Sequence, residues 1–180
     1  MRIGIDVSQV AYEGTGVGEY IKNLVGELLR IDTKNEYILF FSSLRRKFSP
    51  PAGGFNFQSK PKNLEIKTYR FPPLFFDLFW NRLHILPIEW FIGDVDIFIS
   101  SDWTQPPTRK AKKITILYDL IVYKHPEETD RKIIDVQKRC LSWVKKECDK
   151  IICISEATKK DASDILGIEK ERLRVIYPGA

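Results

Sequence analysis

Metal-binding side chains are scarce in this chain, which has two histidines and three cysteines among its 180 residues. His84 and His125 lie far apart, without a further His, Cys or carboxylate at an evident ligand spacing, so no metal centre is expected. Cys140 and Cys148 fall on one predicted helix, roughly 12 Å apart along its axis, whereas a disulfide needs Cα atoms within about 7 Å. With Cys153 they read as reduced core residues of a cytosolic protein. No apolar run approaches the ~18–20 residues that cross a bilayer. The N-terminus reads as a strand and not a secretory leader: a single Arg2, a short apolar run, then Asp6. Both familiar nucleotide fingerprints are missing as well. Glu19 stands where G-x-G-x-x-G needs its third glycine, the second apolar run ends Phe40-Phe41-Ser42 without an acid to hold a ribose, and no Gly-Lys-Ser/Thr occurs.

Neither sign of charge dominates, since 29 basic side chains meet 24 acidic ones for a net +5. Basic residues gather at Arg45-Arg46-Lys47, at Lys60 and Lys62, and from Arg109 to Lys113. Such clusters suit anionic partners, or are simply solvated loops. No recognised motif or basic helix face accompanies them, so nucleic acid is not an expected partner. A hydrophobic content of 43% against 29% charged residues marks a globular chain, long enough for one domain with a full core.

The stretch around which the rest is organised is Gly14-Thr15-Gly16-Val17-Gly18. It follows the apolar run Arg2 to Val7 and leads into a periodic helix, with Val17, Tyr20, Ile21, Leu24, Val25, Leu28 and Leu29 on one face. A strand, a glycine turn and a helix start together aim backbone N–H groups at a phosphate. The competing reading is a turn that merely joins strand to helix.

Further along, Tyr37 to Phe41 reads as a strand buried on both faces. Residues 43–63 read as a long surface loop, partly disordered, and Leu64 to Tyr69 as a third strand. The aromatic stretch Phe71 to Phe91 reads as a helix from Leu74 to Leu86 with a new helical segment after Pro87. It suits a core helix or a membrane interface. Val95 to Ser100, Ile114 to Tyr118, Ile151 to Ile154 and Leu173 to Ile176 complete the strands. Arg131 to Cys148 reads as a helix with Ile133, Ile134, Cys140, Leu141, Val144 and Cys148 inward, and Ser155 as the N-cap of a helix that stops at Gly167. The alternation predicts an α/β fold: a Rossmann-like, doubly wound, mainly parallel sheet of about seven strands with helices on both faces. Ligands then sit beyond the strands' carboxyl ends. The polar residues there are Ser8 and the glycine turn, Asp102, Tyr118-Asp119, and Ser155-Glu156. Asp119 also suits an ordinary turn or cap role, and Ser155 reads as a helix cap in preference to a catalytic group.

Three stretches in this order resemble one family. "IGIDVSQVAYEGTGVGEYIKNLVGELL" resembles the opening of the retaining, nucleotide-sugar-dependent glycosyltransferases of the GT-B fold, glycosyltransferase group 1 or family 4. "TILYDLIVYKHPE" resembles the family's "HDL…P" segment, and "CDKIICISEATKKDASDILGIEKERLRVIYPGA" is similar to its "Se.tk…g…ekv.vi.pG" segment. The likeness covers nearly all of the chain apart from residues 43–63.

The resemblance implies that residues 1–180 are an N-terminal, acceptor-side Rossmann-like domain whose donor-binding C-terminal partner, as domain or subunit, is not in this chain. It implies transfer of a hexose, of mannosyltransferase type, from a nucleotide sugar to a glycan or lipid-linked acceptor with retention. Gly14, Thr15, Gly16, Val17 and Gly18 would then face the donor diphosphate. Tyr118 and Asp119 would be catalytic, Tyr118 standing where the family usually has histidine. Asp102 and Trp103 would bind acceptor. No cofactor is implied beyond the nucleotide-sugar substrate. A cytoplasmic place, peripheral at the inner membrane face, fits the basic and aromatic stretches. The alternative is a non-catalytic Rossmann-like module that binds a nucleotide or a partner.

Overall fold

The computed structural model describes residues 1–48, 61–101 and 103–179. Asp102, Lys60 and most of the expected 43–63 loop lie outside the described residues. Seven strands form one sheet: β1 (Arg2–Asp6), β2 (Glu36–Ser42), β3 (Leu64–Tyr69), β4 (Ile97–Ser100), β5 (Lys112–Leu117), β6 (Lys150–Cys153) and β7 (Leu173–Val175). Their order is β3-β2-β1-β4-β5-β6-β7 and every neighbouring pair is parallel. The expected doubly wound sheet therefore forms, and it is parallel throughout.

The double-sided burial of β2 shows how the layers are built. Tyr37, Leu39 and Phe41 join a core with Ile21, Val25 and Leu29 of α1 (Gly16–Ile31). Ile38 and Phe40, pointing the other way, join Phe76, Trp80 and Ile92. Those three come from α2 (Pro73–Phe76), a π-helical turn (Asp77–Arg82) and α3 (Glu89–Ile92). Helices thus cover both faces, as a parallel sheet requires. A third cluster packs Cys140, Leu141 and Val144 of α5 (Arg131–Glu147) and Ala162 of α6 (Glu156–Asp164) on Leu117, Ile151 and Cys153. Each fully buried aliphatic side chain contributes about 1.5–3 kcal/mol. The three cysteines are buried and form no disulfide among the described residues, and burial pushes the Cys148 thiol up to about 12 and that of Cys153 to about 11.

The structure corrects several expectations. The helix predicted from Leu74 to Leu86 begins at Pro73, widens into the π-helical turn and ends at Arg82. His84 and Leu86 then take left-handed backbone, φ 52° and 64°. One local and one long-range contact hold this break: Trp80 Nε1 donates to the Leu86 carbonyl at 2.9 Å, and the ring of His84 stacks on Trp143 at 3.6 Å. The π turn buries Asp77 and Asn81 towards α5, where Arg139 pairs with Asp77 at 2.9 Å and Trp143 Nε1 donates to the Asn81 carbonyl at 2.8 Å. Burial opposes the charge on Asp77, but Arg82, Arg139 and Asn81 together hold its carboxyl below the usual range. The helical segment expected after Pro87 does form, as the single turn α3.

Three further expectations change. Val95 and Asp96 precede β4 instead of starting it; Asp96 accepts the Arg2 N–H at 2.7 Å. Ile133, expected inward, is exposed. Lys113, grouped among solvated basic residues, is buried and ion-paired with Glu147 of α5. The aromatic stretch packs as the core reading expects, with part of it left at the surface. Phe76 and Trp80 stack in the core with centroids 4.1 Å apart, while Leu74 and Trp90 are 77% and 65% exposed.

A Cβ on Gly4 would meet Ile92 Cδ1 at 2.6 Å and Phe98 Cδ2 at 2.9 Å, both in a filled core. Gly4→Val should therefore cost about 1–3 kcal/mol. Urea unfolding checks this as a lower midpoint with an unchanged slope.

Candidate functional site

Strand order reverses between β1 and β4, and there the chain opens a crevice at the carboxyl edge of the sheet. From β1 the chain makes a 3₁₀ turn at Ser8–Ala11 and then the glycine turn. Gly14, at φ 76°, is the residue that needs left-handed backbone. Thr15 is extended and caps α1: its Oγ1 accepts the Gly18 N–H at 3.2 Å and donates to the Tyr12 carbonyl at 2.8 Å. The Gly18 N–H is thereby occupied. A side chain at Gly18 would press on the Gln9 carbonyl at 3.1 Å, so its lack of Cβ permits close packing. The N–H groups of Gly16 and Val17, at the start of a 16-residue helix, have no acceptor among the described residues. Glu13 and Glu19 border the turn, each paired, with Arg46 at 2.8 Å and Lys22 at 2.8 Å respectively.

Beneath the turn lies a buried polar cluster. Asp6 accepts the Ser8 N–H at 2.9 Å, Ser101 Oγ donates to its other oxygen at 3.4 Å, and Gln9 Nε2 donates to Ser101 Oγ. Gln9 Oε1 is buried without a hydrogen-bond partner among the described residues. Burial raises the Asp6 carboxyl above its usual range, although bonds from Ser8, Ser101 and Gln9 pull against it. Ser8 Oγ in turn accepts the Ser42 N–H at 3.0 Å, so Ser8 ties the ends of β1 and β2 together.

Across the crevice β5 delivers Tyr118 and Asp119. Tyr118 is buried, its ring edge-on to Tyr20 at 5.5 Å and its carbonyl accepting Thr158 Oγ1 at 2.9 Å. Ser155 Oγ accepts the Thr158 N–H at 3.0 Å, so Ser155 is the N-cap of α6. Asp119 is exposed and accepts the Ile121 N–H at 3.0 Å, which starts α4 (Ile121–Lys124). It therefore fills the turn role, while its second oxygen has no hydrogen bond among the described residues.

A cleft of about 160 Å³ joins these parts; Val17, Ser101, Tyr118 and Asp119 line it together with α4 and α5. Of the residues singled out from sequence, it gathers Val17, Tyr118 and Asp119. Gly14, Thr15 and Gly16 stay on the exposed turn and Gly18 is buried. Trp103 is half-buried away from the lining, its carbonyl accepting Asn81 Nδ2 at 2.9 Å, and Asp102 lies outside the described residues. Ser101, Thr129 and Gln137 also line the cleft. Only Ser101 carried a sequence signal, as the first residue beyond a strand end. The spacing argument for His125 is corrected, because the turn at 126–128 brings Glu127 and Glu128 within 4.8 Å of it, all three exposed.

An open parallel sheet with a capped glycine turn and a cleft at its carboxyl edge is a Rossmann-like domain. The particular family follows from comparison. The chain belongs to glycosyltransferase family 4, whose family model, "Glycosyltransferase Family 4", matches residues 14–180. That match begins at the glycine turn and includes Tyr118-Asp119. A search of the curated proteins finds no match. Among the described residues no helix is long and apolar enough to cross a membrane.

The raised Asp6 carboxyl has a consequence for stability. The folded state binds its proton more tightly than the unfolded chain does, where the value is near 3.8. Stability from this group is complete below that value and is lost as pH rises through the folded one. Asp6→Asn keeps an acceptor for the Ser8 N–H, so it should gain stability relative to the parent as pH climbs above 3.8. Urea titrations at a series of pH values read this directly, and a pH-independent difference would remove the buried-carboxyl account.

Proposed function

We propose that this domain is the N-terminal, acceptor-side half of a GT-B glycosyltransferase. It transfers a hexosyl unit, mannosyl in type, from a nucleotide sugar to a glycan or lipid-linked acceptor with retention, and a second, donor-binding lobe or subunit closes over it. The observation that carries this reading, beside the family match, is that Val17 of the glycine turn and the Tyr118-Asp119 pair line one cleft. The Gly16 and Val17 N–H groups, reinforced by the start of α1, donate to the departing diphosphate as its charge builds. Gly14 shapes that turn, and Thr15 and Gly18 fix it. Asp119 accepts a hydrogen bond from a hydroxyl of the transferred sugar, and Tyr118 offers a phenol where an imidazole would otherwise stand. Asp102 and Trp103 are assigned to the acceptor side. The nucleotide sugar is substrate, and no cofactor is assigned.

The domain works in the cytoplasm with peripheral contact to an anionic membrane surface. Support comes from Trp90, 65% exposed, on a turn whose Glu89 Oε1 accepts the N–H groups of Arg109 and Lys110 at 2.8 and 3.2 Å. An exposed indole beside two basic residues suits a headgroup layer. Trp90→Ser should weaken cosedimentation with phosphatidylserine vesicles several-fold while leaving the melting curve unchanged.

The donor-phosphate role is tested at Gly16. Thr15, with ψ 142°, already has the conformation that a following proline requires, and a Cβ on Gly16 meets nothing within 4 Å. Gly16→Pro should therefore delete one N–H without disturbing the helix. In the natural full-length polypeptide it should lower turnover of the nucleotide sugar roughly 10²–10³-fold. If the parent turns over no nucleotide sugar from a broad panel, the non-catalytic binding module becomes the better reading.

A further inference from the structure

Resting on that transfer reading, we infer that Thr158 is a positioning residue: its hydroxyl, carried on α6, orients the peptide between Tyr118 and Asp119 and so aims the pair that meets the transferred sugar. Thr158 Oγ1 donates to the Tyr118 carbonyl at 2.9 Å, across 40 positions of sequence. That carbonyl shares one rigid peptide plane with the Asp119 N–H. Its direction therefore sets where Asp119 leaves the end of β5. The pairing of β5 with β6 is already loosening there, since the Ile154 N–H reaches the Leu117 carbonyl at 3.4 Å. One residue on, α6 adds its own hold on the strand end. The Tyr118 ring meets Tyr20 edge-on at 5.5 Å, and the Asp119 carboxylate accepts the Ile121 N–H at 3.0 Å. Those contacts fix the two side chains; the Thr158 bond fixes the backbone between them.

Counting protons gives the contact a direction. A carbonyl only accepts, so the single hydroxyl proton of Thr158 is committed to Tyr118. Ser155 Oγ lies 2.9 Å from Thr158 Oγ1 and is then the donor between them. In return Ser155 Oγ accepts the Thr158 N–H at 3.0 Å. The bonds run from Ser155 to Thr158 to the Tyr118 carbonyl, and each polarises the next. Capping α6 does not explain this arrangement. The cap needs only the Ser155 hydroxyl and the N–H at 158, which any residue but proline supplies. The hydroxyl at 158 is nonetheless buried, at 6% exposure. Its helix is anchored by the fully buried Ala162, in the same core cluster as Leu117 and Cys153. A donor held this firmly preorganises the group that it bonds.

The test is steady-state turnover by the natural full-length polypeptide, with GDP-mannose and UDP-glucose as donor probes. Thr158→Val removes the hydroxyl at nearly constant volume. It should lower kcat roughly 10- to 10²-fold, as a misaligned reacting group does, and leave KM within about threefold. Thr158→Ser restores the donor and should recover most of the rate. Thr158→Ala, which cannot crowd the site, repeats the test should the valine variant fold poorly. Ala162→Gly loosens α6 without touching either hydroxyl; it should lower the melting temperature and keep the parent kcat. An unchanged kcat in the valine and alanine variants overturns the inference. So does a loss carried by KM, a serine variant as slow as the valine one, or an equal kcat loss in Ala162→Gly. Each of these leaves glycosyl transfer standing. A parent that turns over neither probe nor any other nucleotide sugar defeats the transfer reading itself.

Discussion

Parallel strands cannot be joined by tight turns, and that constraint produces the crevice on which everything else depends. β1 leaves the sheet through α1 on one face and reaches β2. The chain then returns past β3 by way of α2, the π turn and α3 on the other face to place β4 beside β1. Between those two strands the connections depart in opposite directions, so their carboxyl ends are not roofed by a crossover. The glycine turn on one side and the end of β5 on the other then face the same space.

Polar groups are buried in the interior near that space. Asp6, Ser101 and Gln9 sit directly below it. Further back, Ser100 Oγ donates to Gln105 Oε1 at 2.6 Å, Gln105 Nε2 donates to Cys148 Sγ at 3.3 Å, and the Gln105 N–H donates to Asn81 Oδ1 at 3.1 Å. This chain of bonds ties the segment after β4 to the π turn and to the end of α5. Buried polar networks stiffen a structure when their members are satisfied, and π-helical turns recur where side chains must be re-aimed. Here the extra residue in the turn aims Asp77 and Asn81 at α5, the helix that forms one wall of the cleft.

The charge around the glycine turn is balanced and not simply positive. Two glutamates border it, and each is neutralised locally, by Lys22 one helical turn on and by Arg46 from the segment after β2. Exposed pairs of this kind contribute little to stability. Their effect is to keep carboxylate charge from cancelling the partial positive charge at the start of α1.

What the sequence determined by itself is the local grammar. The 3.6-residue spacing from Val17 to Leu29 set α1, the unbroken apolar run Tyr37 to Phe41 set a central strand, and Ser155 set the start of α6. These follow from periodicity and capping, which act within a few residues, and three separated motifs in order were enough to indicate the family. Tertiary structure decided the rest. Lys113 is buried because strand register sets it opposite Phe98 and Glu147 of α5 neutralises it. The helix expected to reach Leu86 breaks at Arg82, where Trp143 and Arg139 of α5 hold its residues from a distance and Trp80 bonds the Leu86 carbonyl. The raised Asp6 carboxyl and the cleft depend on neighbours up to 95 positions away in sequence, and such contacts have no local signature because they exist only once the sheet has brought its strand ends together.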